Sequence, residues 1–252
     1  MIPAERQRKL LNLISHQDIV SINTLVDVLG VSHMTVRRDI QKLEDEGKVI
    51  SVSGGVQTLE RLAIEPTHND KSLLSPKEKN AIGEKAVTLI PMGASIYLDA
   101  GTTTLEIAKK LAEREDLLIV TNDFVIANFL MEYGKGEIFH TGGRVNKANR
   151  SSVGELAAQF LQHISLDIAF ISTSSWNMNG LSTPDENKIP VKKAIINSSQ
   201  QRILVSDSSK CGKVATFFIC PLTVFDSIIC DNALPDNLQK NIAEMEITLY
   251  LV

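Results

Sequence analysis

The sequence predicts an α/β chain in two parts, a small helical head closed by a β-hairpin and a larger domain on a mostly parallel sheet. Three observations carry this. Residues 3 to 47 hold three short apolar-periodic helices separated by caps and glycines, residues 48 to 57 alternate around Gly54-Gly55, and from residue 76 apolar strands alternate with helical stretches. With 252 residues, 43% of them apolar, the chain can build two cores. A formal charge of −4 argues against a uniformly basic nucleic-acid binder but leaves room for a local basic face. No apolar run approaches the roughly 18 residues of a membrane span. The opening MIPAERQRKLLNL has charges where a signal peptide has its apolar stretch, so a cytoplasmic protein with no membrane partner is expected. Cys211, Cys220 and Cys230 lack CxxC spacing and read as buried thiols. His16, His33, His68, His140 and His163 lack metal-ligand spacing, so neither metal nor cofactor is expected.

In the head, Pro3 suits a first helical turn, and Leu10, Leu13 and Ile14 stripe a helix reaching about His16. Ser21 caps a second helix carrying Leu25, Val26 and Leu29, which stops at Gly30. Ser32 caps a third, with Val36, Ile40 and Leu43 at i, i+4 and i+7, closed by Gly47. Opposite that stripe lie Met34, Arg38 and Gln41, flanked by Arg37 and Lys42. Arginine forks onto guanine, glutamine onto adenine, and both grip phosphate, so this face suits a major groove. KVISVSGGVQ then reads as a hairpin wing from which Lys48 and Ser51 can meet a nucleic-acid backbone.

Residues 58 to 75, TLERLAIEPTHNDKSLLS, lack sustained periodicity and include Pro66. They read as a linker between a head at 1–57 and a second domain at 76–252. Ser75, Pro76 and Glu78 read as a capping box, at the Ncap, N1 and N3 positions of a helix through about Val87. Sheets of this kind gather ligands beyond the carboxyl ends of their strands. There stand Asp99-Ala-Gly101-Thr102-Thr103-Thr104, Thr121-Asn122, Gly142-Gly143-Arg144, Ser172-Thr173-Ser174 and Asp207-Ser208-Ser209-Lys210. A glycine lets a backbone approach closely, hydroxyls donate, and a following helix aims its free N–H groups at the same spot, which is how proteins hold phosphate.

The run VSHMTVRRDIQKLEDEGKVISVSGGV resembles the winged helix-turn-helix of the DeoR family of bacterial sugar-metabolism regulators, whose typical run is VS-x-x-TIRRDL-x-x-L followed by GG. The family's D-x-G-T-T, TN, GG, G-L-[ST]-T and D-S-S-K occur here in the family's order, so the resemblance spans nearly the whole chain. It implies Thr35, Arg37 and Arg38 on operator DNA, with Asp39 orienting an arginine or capping locally. With the helix face and wing, the expected DNA-contacting set is Ser32, Met34, Thr35, Arg37, Arg38, Gln41, Lys42 and Lys48. It also implies an effector domain similar to ribose-5-phosphate isomerase and the coenzyme A transferase fold. An effector's phosphate is then expected among Asp99, Gly101, Thr102, Thr103, Thr104 and Lys210, near Thr121, Asn122, Gly142, Gly143 and Arg144, with Ser174, Lys188, Lys192 and Asp207 completing the set. The expected function is repression of a carbohydrate catabolic operon, relieved by a phosphorylated sugar or sugar acid. Two half-sites imply a homo-oligomer, dimer or tetramer.

The alternative is a sugar-phosphate isomerase-like enzyme carrying a DNA-binding head. Isomerases have a DGADE-like cluster after one strand and a KGGGG-like loop soon after. Here DIAFISTSSWNMNGLSTPDENK puts Asp167 at the start of the strand and has no glycine loop, leaving only Asp185 and Glu186 as acids. No catalytic residue is therefore expected. A third reading is a DNA-binding protein whose second domain only assembles subunits. Two departures from the family pattern bear on the ligand. Ser174-Ser175-Trp176 stands where relatives carry a glycine-rich GA-x-GI, and Lys188 stands where D-x-E-E-A-x-V-K has an acid. An extra cation beside Arg144 and Lys210 suits a ligand with a carboxylate besides its phosphate. An exposed lysine with no ligand contact is the equally weighted alternative.

Overall fold

A computed structural model describes residues 1–15, 19–52 and 54–252, so His16 lies outside the described residues. The head holds α1 (Pro3–Ser15), α2 (Ile22–Leu29) and α3 (His33–Asp45). The Ser21 and Ser32 hydroxyls accept from the amides of Thr24 and Thr35, and Gly30 closes α2 at φ 65° with its N–H on Val26 O. Leu10, Ile14, Leu25, Leu29, Val36, Ile40 and Leu43 form one core with Val49 and Val56 of the wing. The wing strands Val49–Val52 and Gly55–Thr58 pair antiparallel, and Val20–Ser21 adds a third strand. Asp39 is buried and accepts from Arg6 Nε, Arg6 Nη2 (3.1 Å) and Gln7 Nε2 (3.1 Å). The arginine it orients therefore belongs to α1, which it ties to α3.

The second domain has a seven-stranded sheet in the order Thr248–Leu251, Ser227–Cys230, Ser199–Val205, Leu166–Ser172, Ser95–Leu98, Leu118–Thr121, Glu137–His140, with every pairing parallel. Side chains alternate between faces as the two-residue period of a strand demands. Ile96, Leu98, Ile168, Phe170, Ile203 and Val205 join the core under helices Pro76–Val87, Thr102–Leu111 and Phe124–Tyr133. Tyr97, Ala169, Ile171 and Leu204 join the core under Glu155–Gln162, Lys188–Ser198 and Asp236–Glu244. Chain order reverses between Ser95–Leu98 and Leu166–Ser172, the switch point where loops diverge and leave a crevice. Among the described residues no helix is long and apolar enough to cross a membrane.

Two parts of the sequence reading change. Ser75 is left-handed (φ 48°, ψ 49°) and makes no side-chain cap, because a one-turn helix ends just before it and the chain must reverse there. The capping box lies earlier instead, reciprocal between Thr67 and Asp70 at the start of His68–Leu73. The stretch read as a linker is thus structured. It contains that helix and the strand Glu60–Leu62, which pairs parallel with Lys213–Ala215.

The head rests on the second domain. Ile50 of the wing packs into the second domain's core, and a Cβ placed on Gly212 would stand 2.7 Å from Ile50 Cδ1. Gly47, at φ +64°, lies so close to Asn179 that a Cβ would stand 1.8 Å from its side-chain nitrogen. Asn237 Nδ2 donates to Glu44 Oε1 (3.1 Å), and the other bonds to Glu44 come from Ser51 N and Oγ (2.8 and 3.0 Å). The Ser51 hydroxyl is therefore spent inside the head.

Candidate functional site

On α3, Met34 is 72% exposed, and Arg37, Arg38, Gln41 and Lys42 are exposed too. Ser32 is committed to capping and pairs with the Thr35 hydroxyl (3.0 Å) at the helix start. Lys48 is exposed but paired with Glu46 (2.6 Å), and Gln41 donates to Asp45 (2.9 Å). Arg37 and Gln41 also border a cleft whose far wall is Pro235, Asp236, Asn237 and Lys240.

At the switch point of the sheet is a cavity of about 440 Å³, measured to its open mouth. Its wall brings together Gly101, Thr102, Thr103, Ser172, Thr173, Ser174, Lys188, Lys192 and Lys210. The helix Thr102–Leu111 starts with Gly101 at its cap position and no side-chain cap, so the positive end of its dipole is left to whatever enters. A Cβ on Gly101 would stand 2.7 Å from Ser172 Oγ, and the close approach of the two loops requires glycine there.

Several expected residues stand behind the wall. The Thr104 hydroxyl donates to Asp99 O (2.6 Å) and Gly101 O (2.9 Å). Thr121 Oγ1 donates to Leu98 O (2.7 Å). Asn122 Oδ1 accepts from Tyr97 OH (2.8 Å) and Ala100 N (2.9 Å), which fixes the loop from below. Asp99 and Asn122 border a smaller adjoining recess with Lys188 and Lys192. Gly142, Gly143 and Arg144 do not reach the cavity. A Cβ on Gly143 would lie 3.1 Å from Ala157 N, so the pair folds the loop onto a helix, and exposed Arg144 donates to Asn187 (3.2 Å). Asp207 holds Lys210 (2.6 Å) without itself lining the cavity.

Two wall residues come from the stretch that looked aperiodic, Glu65 and Lys71. Lys71 donates to Glu65 Oε1 (2.8 Å) and Asn149 Oδ1 (2.6 Å), and Lys188 donates to Glu65 Oε2. Lys192 bonds Asp99 and Ser172 O, and buried Lys79 bonds the carbonyls of Lys71 and Leu74. Burial alone would raise the Glu65 carboxyl, but Lys188 and Lys71 overcome it and hold the group well below its ordinary range. Burial lowers Lys188, and burial with the neighbouring charge of Lys210 brings Lys79 down to about 8. Asp123, whose Oδ2 accepts from Gly101 N (3.0 Å), is raised by burial to about 6.

Glu65, Asp99 and Asp207 around this cavity are each held by a lysine, and the Asp123 carboxylate accepts from the backbone amides of Gly101, Val125 and Ile126 behind the loop, so none stands free in the cavity as a base. Asp167 lies at the far end of its strand, bonded to Ser95 N and Oγ (both 2.7 Å). Asp185 ties a turn with Asn146 and Asn187, and Glu186 is exposed. Trp176 is buried core with its Nε1–H on Ser206 Oγ (3.0 Å), and burial pushes Cys211 up to about 12, so its thiol is unreactive. Among the described residues no group of three His, Cys, Asp or Glu side chains can hold a metal ion.

A helix-turn-helix head seated on an α/β domain with a cation-lined cavity is the architecture of a DNA-binding transcriptional regulator with a sensor domain. The chain belongs to the DeoR family: residues 6–61 match the DeoR-like helix-turn-helix domain and residues 74–232 the DeoR C-terminal sensor domain. It is 70% identical to an HTH-type transcriptional regulator of Haemophilus influenzae, over all of this chain and 98% of that protein. It is 29% identical to the glycerol-3-phosphate regulon repressor of Escherichia coli K12, over the full length of both. Among solved structures, ribose 5-phosphate isomerase from Plasmodium falciparum is 17% identical over 53% of this chain and 52% of that one, with a TM-score of 0.39, a likeness too slight to carry an argument. The protein is a regulator and not an enzyme.

Proposed function

We propose that the protein represses a carbohydrate catabolic operon and releases its operator when a phosphorylated sugar or sugar acid enters the switch-point cavity. The observation that carries this is a charge imbalance. Lys71, Lys79, Lys188, Lys192 and Lys210 outnumber Glu65, Asp99, Asp123 and Asp207 by one positive charge in and beside the cavity, and of those acids only Glu65 lines its wall, against four lysines. A phosphate monoester brings about −1.5 to −2, and the helix N-terminus at Thr102 gives it amide donors. The E. coli relative is itself the repressor of a regulon. The head takes residues 1–57 and the sensor 76–252, a division supported by the two matched domains at 6–61 and 74–232. The protein acts in the cytoplasm as a homo-oligomer, so that two heads read two half-sites. The test is a screen of phosphorylated sugars and sugar acids for release of the DNA upstream of its own gene. No release by any of them sinks the reading.

Within that class the sugar acids are favoured by Lys188, whose side chain stands in the cavity wall. Calorimetric titration with sugar phosphates and their aldonate counterparts checks it, and equal affinity for both members of each pair counts against it.

Lys79 supplies a pH signature. Its folded pKa of about 8 lies below the ordinary lysine value, so between about 8 and 10.5 the folded state carries fewer protons than the unfolded one and stability rises with pH. An anion beside Lys210 and Lys71 offsets the charges that depress Lys79 and raises its pKa. Binding of inorganic phosphate near pH 8 is then expected to take up about half a proton, measured by calorimetry in two buffers of different ionisation enthalpy. Lys79→Met should abolish the uptake, and an equal uptake in that variant refutes the assignment.

A further inference from the structure

Glu65 is held like a bound ligand. Its Oε1 accepts from Lys71 Nζ (2.8 Å) and Ser174 Oγ (2.6 Å), and its Oε2 from Lys188 Nζ and Asn149 Nδ2 (3.1 Å). Its side chain is 7% exposed while the adjacent Ile64 is 83% exposed, so the segment dips into the domain at this residue. Four donors converging on one carboxylate, two of them cations, constitute a carboxylate receptor. Lys71, Lys188 and Ser174 of that receptor also wall the cavity.

Glu65 is also tethered to the DNA-reading head. Toward the N-terminus the chain runs from it through Glu60–Leu62, whose partner is Lys213–Ala215, to Thr58 at the end of the wing. Two other wall loops lead to the head's seat. Ser174 is followed by Trp176–Asn177 and Asn179, which lies against Gly47, and Lys210 is followed by Gly212, which lies against Ile50. A displacement of Glu65 thus acts on the strand that anchors the wing.

We propose that Glu65 is a tethered stand-in for the effector's carboxylate: it fills the Lys71–Lys188 receptor in the free protein, and a ligand bearing a carboxylate beside its phosphate displaces it, releases the strand Glu60–Leu62 and unseats the wing. This deepens the sugar-acid reading above and rests on it. A ligand with phosphate alone fills the Gly101–Thr103 loop and leaves Glu65 in place, so it binds without signalling. A ligand shifts the two arrangements only by its difference in affinity for them, and here that difference is the second anion.

The test uses the full chain and 3-phosphoglycerate, with glycerol 3-phosphate as its carboxylate-free partner, read by amide hydrogen exchange at saturating probe. Both probes should slow exchange at Thr102–Thr104, and only 3-phosphoglycerate should accelerate it at 60–62 and 213–215. No protection at 102–104 by either probe removes the phosphate site and this inference with it. Protection there without acceleration at 60–62 overturns the role of Glu65 alone. A second arm needs no ligand. Glu65→Gln should weaken retention of the DNA upstream of its own gene by about tenfold while still unfolding in one thermal transition, and wild-type retention refutes the proposal. Should that variant fail to fold, the exchange experiment on the wild-type chain decides.

Discussion

Full-length protein carrying Arg37→Ala and Arg38→Ala is expected to lose retention of its operator in a mobility-shift assay, with affinity falling by about two orders of magnitude or more. The size follows from chemistry: each bidentate arginine–guanine contact is worth about 1–3 kcal/mol, and a phosphate contact adds a salt-dependent share. Both side chains are exposed on α3, while the head's core is carried by Val36, Ile40 and Leu43 on a separate stripe. Folding should therefore shift by no more than about 0.5 kcal/mol, and thermal stabilisation by a bound effector should persist. The variant's residual binding should also lose part of its salt dependence. Undiminished retention means that another surface reads the DNA.

The second large effect is expected at Lys210. Lys210→Ala should leave operator binding intact and abolish its response to phosphorylated effectors, since the substitution removes a cation from the same cavity wall that holds the Thr102 helix start. The lysine also neutralises buried Asp207 (2.6 Å), so the alanine variant should lose about 3–5 kcal/mol of stability, the cost of stranding a buried partner. Ligand loss and instability are separable. The double variant Asp207→Asn, Lys210→Met removes both charges and should recover most of the stability while remaining unresponsive. Denaturant melts and effector titrations on the two variants check this, and a normal response in the stable double variant clears Lys210 of the role.

Local chemistry made much of this molecule legible in its sequence. Ser21, Gly30, Ser32 and Gly47 punctuate the head because their side chains, or the absence of one, are needed within a turn or two of where they stand. Strands such as Leu166–Ser172 declare themselves because both faces are covered and every residue but Asp167 is buried. The site was less legible where it depends on distance along the chain. Glu65 and Lys71 sit on a three-residue strand's exit and a one-turn helix, both too short to show a period, although Thr67-x-x-Asp70 was a usable capping signal. Lys188 could be singled out as an added cation, but its partner lies 123 residues away. Gly142-Gly143-Arg144 carries the right residue types for ligand contact, and only packing against Ala157 reveals that the loop turns away. Spacing gives what a segment can do, while the sheet order decides which segments meet.

The close seat of the head has a consequence for anyone who would treat this protein as interchangeable parts. Gly47 leaves no room for a side chain unless Asn179 moves, and Ile50 fills the space that a side chain at Gly212 would need. A chimera that grafts a foreign reading head onto this sensor must therefore import or preserve those two matched pairs. Without them the transplanted head has no defined footing, and the hybrid binds its new sequence without obeying the old signal.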